Sequence, residues 1–272
     1  MGQARYGAVV AAELLVVGGG RMGDALVGGL LAAGHPASDL VVVEPYQARA
    51  EEVRRTRQVE VVAEPVQARG VVLAVKPDVV PAAAAAVADA GAERVLSIAA
   101  GVPLAAIETA LGLDLPVVRA MPNTPALVGM GVAAIAPGSY AAAADLEWAE
   151  GLLAAVGTVV RVTEGQLDAV TGLSGSGPAY VFLVAEALIE AGVLQGLARP
   201  TARALAVGTL RGAAELLARD PYSEPASLKG DVTSPGGTTA AGLAVLERWA
   251  VRAAFIEAVE AATRRSRELG NG

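Results

Sequence analysis

Leu14-Leu15-Val16-Val17-Gly18-Gly19-Gly20-Arg21-Met22-Gly23 decides the fold, because a continuous apolar run, a G-x-G-x-x-G turn and an opening helix follow one another directly. Alone, the hexapeptide is a weak signal in a chain with 32 glycines. Its context makes it a dinucleotide fingerprint: Gly18 makes the tight turn, Gly20 lets a pyrophosphate approach, and Gly23 allows close helix packing. The open N-terminus of the helix would receive the phosphates.

Working outward, short β-branched runs alternate with helical segments. Strands are expected at Leu14–Val17, Leu40–Glu44, Val59–Val62, Val71–Val75, Arg94–Ile98 and Pro116–Arg119, and Val132–Ile135 and Thr158–Val162 extend the series. Helices are expected at Met22–Ala33, Gln47–Arg57, Val79–Ala90, Pro103–Leu111 and Ala141–Ala155. Continuous apolar strands separated by helices imply a mostly parallel sheet covered on both faces. Beyond about Gln166 no strand is expected. Pro178–Gly192 is apolar nearly all the way round, which requires burial on every side. The helical part is too small to bury it alone, so a partner subunit is expected to cover it. Further helices are expected at Thr201–Ala218, headed by Pro200, at Ala240–Trp249 and at Val251–Leu269. The expected class is α/β: a Rossmann-type, mostly parallel sheet domain over residues 1–163, then an all-helical dimerisation domain over 164–272.

Composition narrows the chemistry. The chain has 272 residues, is 54% hydrophobic and lacks cysteine, which removes disorder, disulfides, thiolate nucleophiles and Cys-ligated metals. One histidine, His35, cannot build a His-rich metal site. A net charge of −7 argues against nucleic acid. Met1-Gly2 lacks the Ser or Thr that myristoylation needs at position 6, where Tyr6 stands. The apolar run Ala8–Val17 is broken by Glu13 and enters the glycine turn, unlike a signal peptide. Residues 120–144 are uncharged, but three prolines forbid a membrane helix there. The expected location is the cytoplasm, with no membrane partner.

Candidate ligand contacts fall at strand ends. Glu44 lies 21 residues beyond Gly23, where an acid would bind the adenosine ribose. A carboxylate there favours NAD(H) by repelling a 2′-phosphate, and Arg21 and Arg49 would blunt that repulsion. Ala74-Val75-Lys76-Pro77 closes the fourth strand, Ala99-Ala100-Gly101 the fifth and Met121-Pro122-Asn123-Thr124-Pro125 the sixth. Lys76 and Lys229 are the only lysines.

A second candidate site is Asp231-Val-Thr-Ser-Pro-Gly-Gly-Thr-Thr239, set between helix-forming stretches. Pro235-Gly236-Gly237 is expected to stop one helix and Thr238-Thr239 to open the next. The free amides and positive dipole end of that helix suit a small carboxylate, without a metal or basic side chain.

Together these blocks resemble pyrroline-5-carboxylate reductase, the last enzyme of proline biosynthesis. The likeness runs from the Gly18 turn through Ala74–Pro77, Ser97–Gly101 and Arg119–Pro125. It continues through Asp168-Ala-Val-Thr-Gly-Leu-Ser-Gly-Ser-Gly-Pro-Ala-Tyr180 into Val232–Thr239, whose sequence looks like that family's signature. The resemblance implies NADPH or NADH as cofactor and 1-pyrroline-5-carboxylate and L-proline as substrate and product. It also implies an intertwined homodimer, with a decamer of dimers as a larger assembly, and substrate lying between one subunit's cofactor and the helical domain. It assigns the cofactor to Gly18, Gly20, Arg21, Met22, Gly23, Glu44, Ala74, Val75, Lys76, Pro77, Ala99, Asn123 and Asp231. Substrate falls to Glu164, Ser234, Gly237, Thr238 and Thr239; the last three would hold the carboxylate through backbone amides. The Thr239 hydroxyl would point at the ring nitrogen as the catalytic group. Arg21, Gly23 and Asp231 depart from the common pattern, where Asn, Ala and Asn are frequent, and the Val62–Val71 segment is short for the helix usual there.

Two rivals are weighed against this. A β-hydroxyacid dehydrogenase would place Lys and Asn four and eight residues beyond Gly177, where this chain has Val181 and Ala185. A non-catalytic nucleotide sensor would not need the hydroxyl-rich turn.

Overall fold

The computed structural model describes residues 12–220, 222 and 224–270; the Met1-Gly2 pair, Tyr6 and the start of the apolar run at Ala8 lie outside the described residues. The chain divides into two compact units, residues 1–176 with 262–272, and residues 177–261.

The first unit is built on eight strands. They are β1 (Ala12–Val17), β2 (Leu40–Val43), β3 (Glu60–Val62), β4 (Ala68–Leu73), β5 (Arg94–Ser97), β6 (Val117–Met121), β7 (Gly131–Pro137) and β8 (Gly157–Arg161). Their spatial order is β3-β2-β1-β4-β5-β6-β7-β8. The first six are parallel in the 3-2-1-4-5-6 order of dinucleotide-binding sheets. β7 pairs antiparallel with β6, in register Val118 to Pro137. A tight 3₁₀ turn, Thr124–Val128, joins those two strands, and so short a link permits only antiparallel pairing. α5 (Ala143–Ala154) carries the chain back so that β8 lies parallel to β7.

Strand alternation sorts side chains onto two faces. Leu14 and Val16 pack with Leu26, Val27 and Leu30 of α1 (Arg21–Ala32), Ala50 and Val53 of α2 (Gln47–Arg57), and Leu152 and Leu153 of α5. Leu15 and Val17 pack on the opposite face with Val80, Ala84 and Val87 of α3 (Val80–Asp89) and Ile107 and Leu111 of α4 (Leu104–Leu111). Leu15, Leu73 and Leu96 are fully buried, each such side chain stabilising the fold by about 2 kcal/mol. Between β3 and β4, irregular chain at residues 63–67, with a bend at 63–64, replaces the usual crossover helix.

The unit continues through a 3₁₀ turn at Glu164–Gln166, α6 (Leu167–Val170) and a π turn at Thr171–Gly175. Residues from Ala262 onward belong to it as well.

The second unit is entirely helical: α7 (Gly177–Leu194), α8 (Arg199–Arg219), α9 (Pro225–Asp231), α10 (Thr238–Arg248) and the first part of α11 (Val251–Gly270). α7 and α8 form a hairpin closed by Gly196 at φ +92 and by the Leu197 amide donating to the Gly192 carbonyl. No residue of α7 is buried, and Phe182 and Leu183 are 67% and 65% exposed. Glu164–Leu194 is also long and apolar enough, by length and composition, to cross a membrane.

The expected helix stop needs one correction. α9 ends at Asp231, ahead of Pro235-Gly236-Gly237. The Thr233 hydroxyl donates to the Lys229 carbonyl there and satisfies the helix end early. Pro235 then disfavours helical backbone at Ser234.

Candidate functional site

β1 and β4 are neighbours whose following chains part, because α1 covers one face of the sheet and α3 the other. In open α/β sheets that parting is the ligand crevice. Gly18 adopts φ +109, and a Cβ there would lie 2.7 Å from the Ala74 carbonyl oxygen. A Cβ on Gly23 would lie 2.1 Å from the Gly18 carbonyl oxygen, so the turn, β4 and α1 close on one another only through glycines. Gly20 differs: its Cβ would meet nothing within 4 Å. It caps α1 in extended conformation without a side-chain cap, and the first helical bond runs from Asp24 to Gly20. The amides of Arg21, Met22 and Gly23 therefore have no carbonyl partner within the helix, which fits a pyrophosphate.

Glu44 follows β2 and is 8% exposed. Its Oε2 accepts from the Gly19 amide at 3.1 Å and its Oε1 from the Tyr46 amide at 3.0 Å. Arg49 donates through Nε to the Gly19 carbonyl and through Nη1 to Glu52, and its Nη2 lies 3.7 Å from Asp24. Asp24 is bound bidentately by Arg57, at 2.9 Å on each oxygen. That hydrogen-bonded guanidinium holds the Asp24 carboxyl below its ordinary value.

Along the same carboxyl edge, Ala74 and Val75 are half-buried and Lys76 and Pro77 exposed. Ala99 is buried behind β5. Asn123 ties three elements together: its Nδ2 donates to the Ser174 carbonyl in the π turn at 3.1 Å, and its Oδ1 accepts from the Val132 amide at 2.8 Å. A π turn shifts the helical bonding register, and such turns recur at functional sites. Pro77, Ala100, Gly101, Thr171, Ser176 and Leu269 line a cavity of about 800 Å³ at this edge.

Glu164 sits on the same unit. Its Oε1 accepts from the Leu104 amide at 2.6 Å, at the start of α4, and from Arg119 Nη1 at 2.9 Å. The Arg119 side chain is only 11% exposed.

In the helical unit, Gly236 takes φ +69 and Gly237 caps α10 without a side-chain cap. The Gly237 amide donates to the Ser234 carbonyl at 3.0 Å, and the first bond of α10 runs from Ala241 to Gly237. The amides of Thr238, Thr239 and Ala240 thus stand at the open helix end. A Cβ on Gly237 would lie 2.3 Å from the Ser234 hydroxyl oxygen, so Gly237 is the residue that lets this turn close. Asp231 is exposed at the end of α9.

The structure therefore gathers the Gly18 turn, Glu44 and Ala74–Pro77 around one crevice, and Ser234, Gly237, Thr238 and Thr239 around one turn. Sequence reading missed Arg119 as the partner of Glu164. Its signal was present: a lone charge inside Val117-Val118-Arg119-Ala120-Met121, on a buried strand, requires a counter-ion. The Asp24–Arg57 pair joins residues far apart in sequence and carried no such signal.

Comparisons with known proteins agree with this geometry. A family described as pyrroline-5-carboxylate reductase dimerisation matches residues 164–269, and one described as NADP oxidoreductase, coenzyme F420-dependent, matches residues 13–101. The pyrroline-5-carboxylate reductase of Synechocystis is 47% identical over 95% of this chain and 98% of its own length. A solved pyrroline-5-carboxylate reductase from Coxiella burnetii superposes with TM-score 0.90 at 35% identity, covering 96% of this chain and 99% of that one. The Plasmodium falciparum pyrroline carboxylate reductase, solved with NADP bound, gives TM-score 0.83 at 29% identity, covering 95% and 98%.

Proposed function

Because the chain belongs to the pyrroline-5-carboxylate reductase family, we propose that its substrate is held by the turn opening α10 and is protonated there by Thr239. The enzyme reduces 1-pyrroline-5-carboxylate to L-proline, the last step of proline biosynthesis, using NADPH or NADH. It forms a homodimer through the helical region. The β-hydroxyacid alternative is not favoured.

The observation that carries the proposal is the uncapped start of α10. A carboxylate placed there meets the Thr238 and Thr239 amides and the positive end of the helix dipole. Gly237 and Ser234 shape the turn, with the Gly237 amide already bonded to Ser234. The nicotinamide, when bound, supplies a hydride to the imine carbon. The Thr239 hydroxyl donates a hydrogen bond to the neutral imine nitrogen and gives that nitrogen its proton as the hydride arrives. Orientation supplies the rest, since fixed geometry alone lowers a barrier by several kcal/mol. Glu164 contributes the substrate-side acid: Leu104 and Arg119 both occupy its Oε1, which leaves Oε2 as the atom to offer.

For the cofactor we assign the pyrophosphate to Gly18, Gly20, Arg21, Met22 and Gly23, and the adenosine ribose to Glu44. The remaining contacts go to Ala74, Val75, Lys76, Pro77, Ala99 and Asn123, with Asp231 as a polar contact from the helical region. The functional division follows as residues 1–163 for the dinucleotide and 164–272 for substrate and dimerisation. By the same family likeness the assembly extends to a decamer of dimers and the reaction takes place in the cytoplasm. Light scattering of the native protein and cell fractionation test these two statements.

The direct test is Thr239→Ala. Turnover with pyrroline-5-carboxylate is expected to fall by about two orders of magnitude, the usual contribution of a positioned proton donor. Coenzyme Kd stays within twofold. Unchanged turnover removes Thr239 from the mechanism.

A further inference from the structure

We infer that this enzyme is built for NADH, with Glu44 as the residue that sets the choice and Arg49 withdrawn from it. The inference rests on the dinucleotide site proposed above.

Three observations carry it. First, Glu44 is fixed in place. It is 8% exposed and its two oxygens take amides from both sides, Gly19 on the fingerprint turn and Tyr46 beyond β2. Each carboxylate oxygen has two acceptor sites, so one on each remains for the hydroxyls of a ribose. A 2′-phosphate at the same position brings only acceptors and two negative charges. Burial weakens the screening that would soften the repulsion, and the two amides prevent the side chain from swinging away.

Second, Arg49, which reaches the same glycine turn, is already engaged. Arg49 is held by the Gly19 carbonyl, Glu52 and Asp24. Pulling it onto a phosphate would break those contacts and bring the phosphate towards Glu44, Glu52 and Asp24 together.

Third, Arg21 is placed for another task. It is the first residue of α1, immediately after Gly20, and is exposed beside the open amides. That location suits the pyrophosphate, which NADH and NADPH share.

The experiment is a binding titration of the full-length enzyme with each coenzyme, followed by nicotinamide fluorescence without substrate. NADH is expected to bind at least tenfold more tightly than NADPH. Glu44→Gln keeps the size of the side chain and removes the charge, and should narrow that ratio to threefold or less, chiefly by strengthening NADPH. Arg21→Ala should weaken both coenzymes by a similar factor. Tighter binding of NADPH by the unaltered protein would overturn the inference while leaving the proposed reaction standing. So would a selective loss of NADPH in Arg49→Leu or Arg21→Ala. Failure of both coenzymes to bind would overturn the dinucleotide site itself.

Discussion

The two units solve the problem of burial in opposite ways. In the sheet unit, both faces of β1 are covered by the chain's own helices, and Leu15, Val16, Val71 and Val72 are fully shielded. In the helical unit α7 buries nothing, while Phe182, Leu183 and Leu194 stand at 67%, 65% and 82% exposure. A helix so apolar is stable in water only when something covers it. Residues 164–269 match a dimerisation family, so a second copy of the chain is the cover expected for α7. The sheet unit thus completes its own core, whereas the helical unit is completed by assembly.

That contrast can be broken at several points. The largest effect is expected from Phe182→Glu, which should weaken self-association at least a hundredfold in sedimentation or light scattering. Coenzyme binding to the sheet unit should survive it. Next comes Thr239→Ala, with its roughly hundredfold loss of turnover; Thr239→Ser, which restores the hydroxyl, should recover most of it. Gly18→Ala strikes the sheet unit instead. Its positive φ and the 2.7 Å approach to Ala74 should cost about 2 kcal/mol of stability and at least tenfold in coenzyme affinity. Glu164→Ala leaves the shielded Arg119 unpaired and should lower stability by about 1–3 kcal/mol in thermal unfolding.

The smallest effect concerns pH. Asp24 is held below its ordinary value by the Arg57 hydrogen bond, so its stabilising contribution is complete above about pH 4 and fades as pH falls through the lowered value. Asp24→Asn should therefore flatten the acid limb of the stability profile and leave the neutral region's slope unchanged. An acid limb identical to that of the unaltered protein would assign the lability to other carboxylates.

Much of this architecture was legible in the sequence because its signals are local. Leu14–Gly23 carries strand, turn and helix in one stretch, and the apolar runs at Leu40, Arg94 and Val117 mark strands without help from distant residues. Thr238 opens a helix as its position after two glycines implies. What escaped were long-range facts. The reversal of β7 depends on how short the Thr124–Val128 turn is, the end of α9 on one threonine hydroxyl, and the pairing of Glu164 with Arg119 on two residues 45 apart in sequence. Glu44 lies between these cases. Its place at a strand end was readable, but its clasp by the Gly19 and Tyr46 amides appears only in three dimensions.

The most direct measurement is a crystal structure of the homodimer soaked with L-proline and oxidised coenzyme. We expect the proline carboxylate within hydrogen-bonding distance of the Thr238 and Thr239 amides, with the ring nitrogen facing the Thr239 hydroxyl. Proline density at another place, with the turn before α10 empty, would contradict the account.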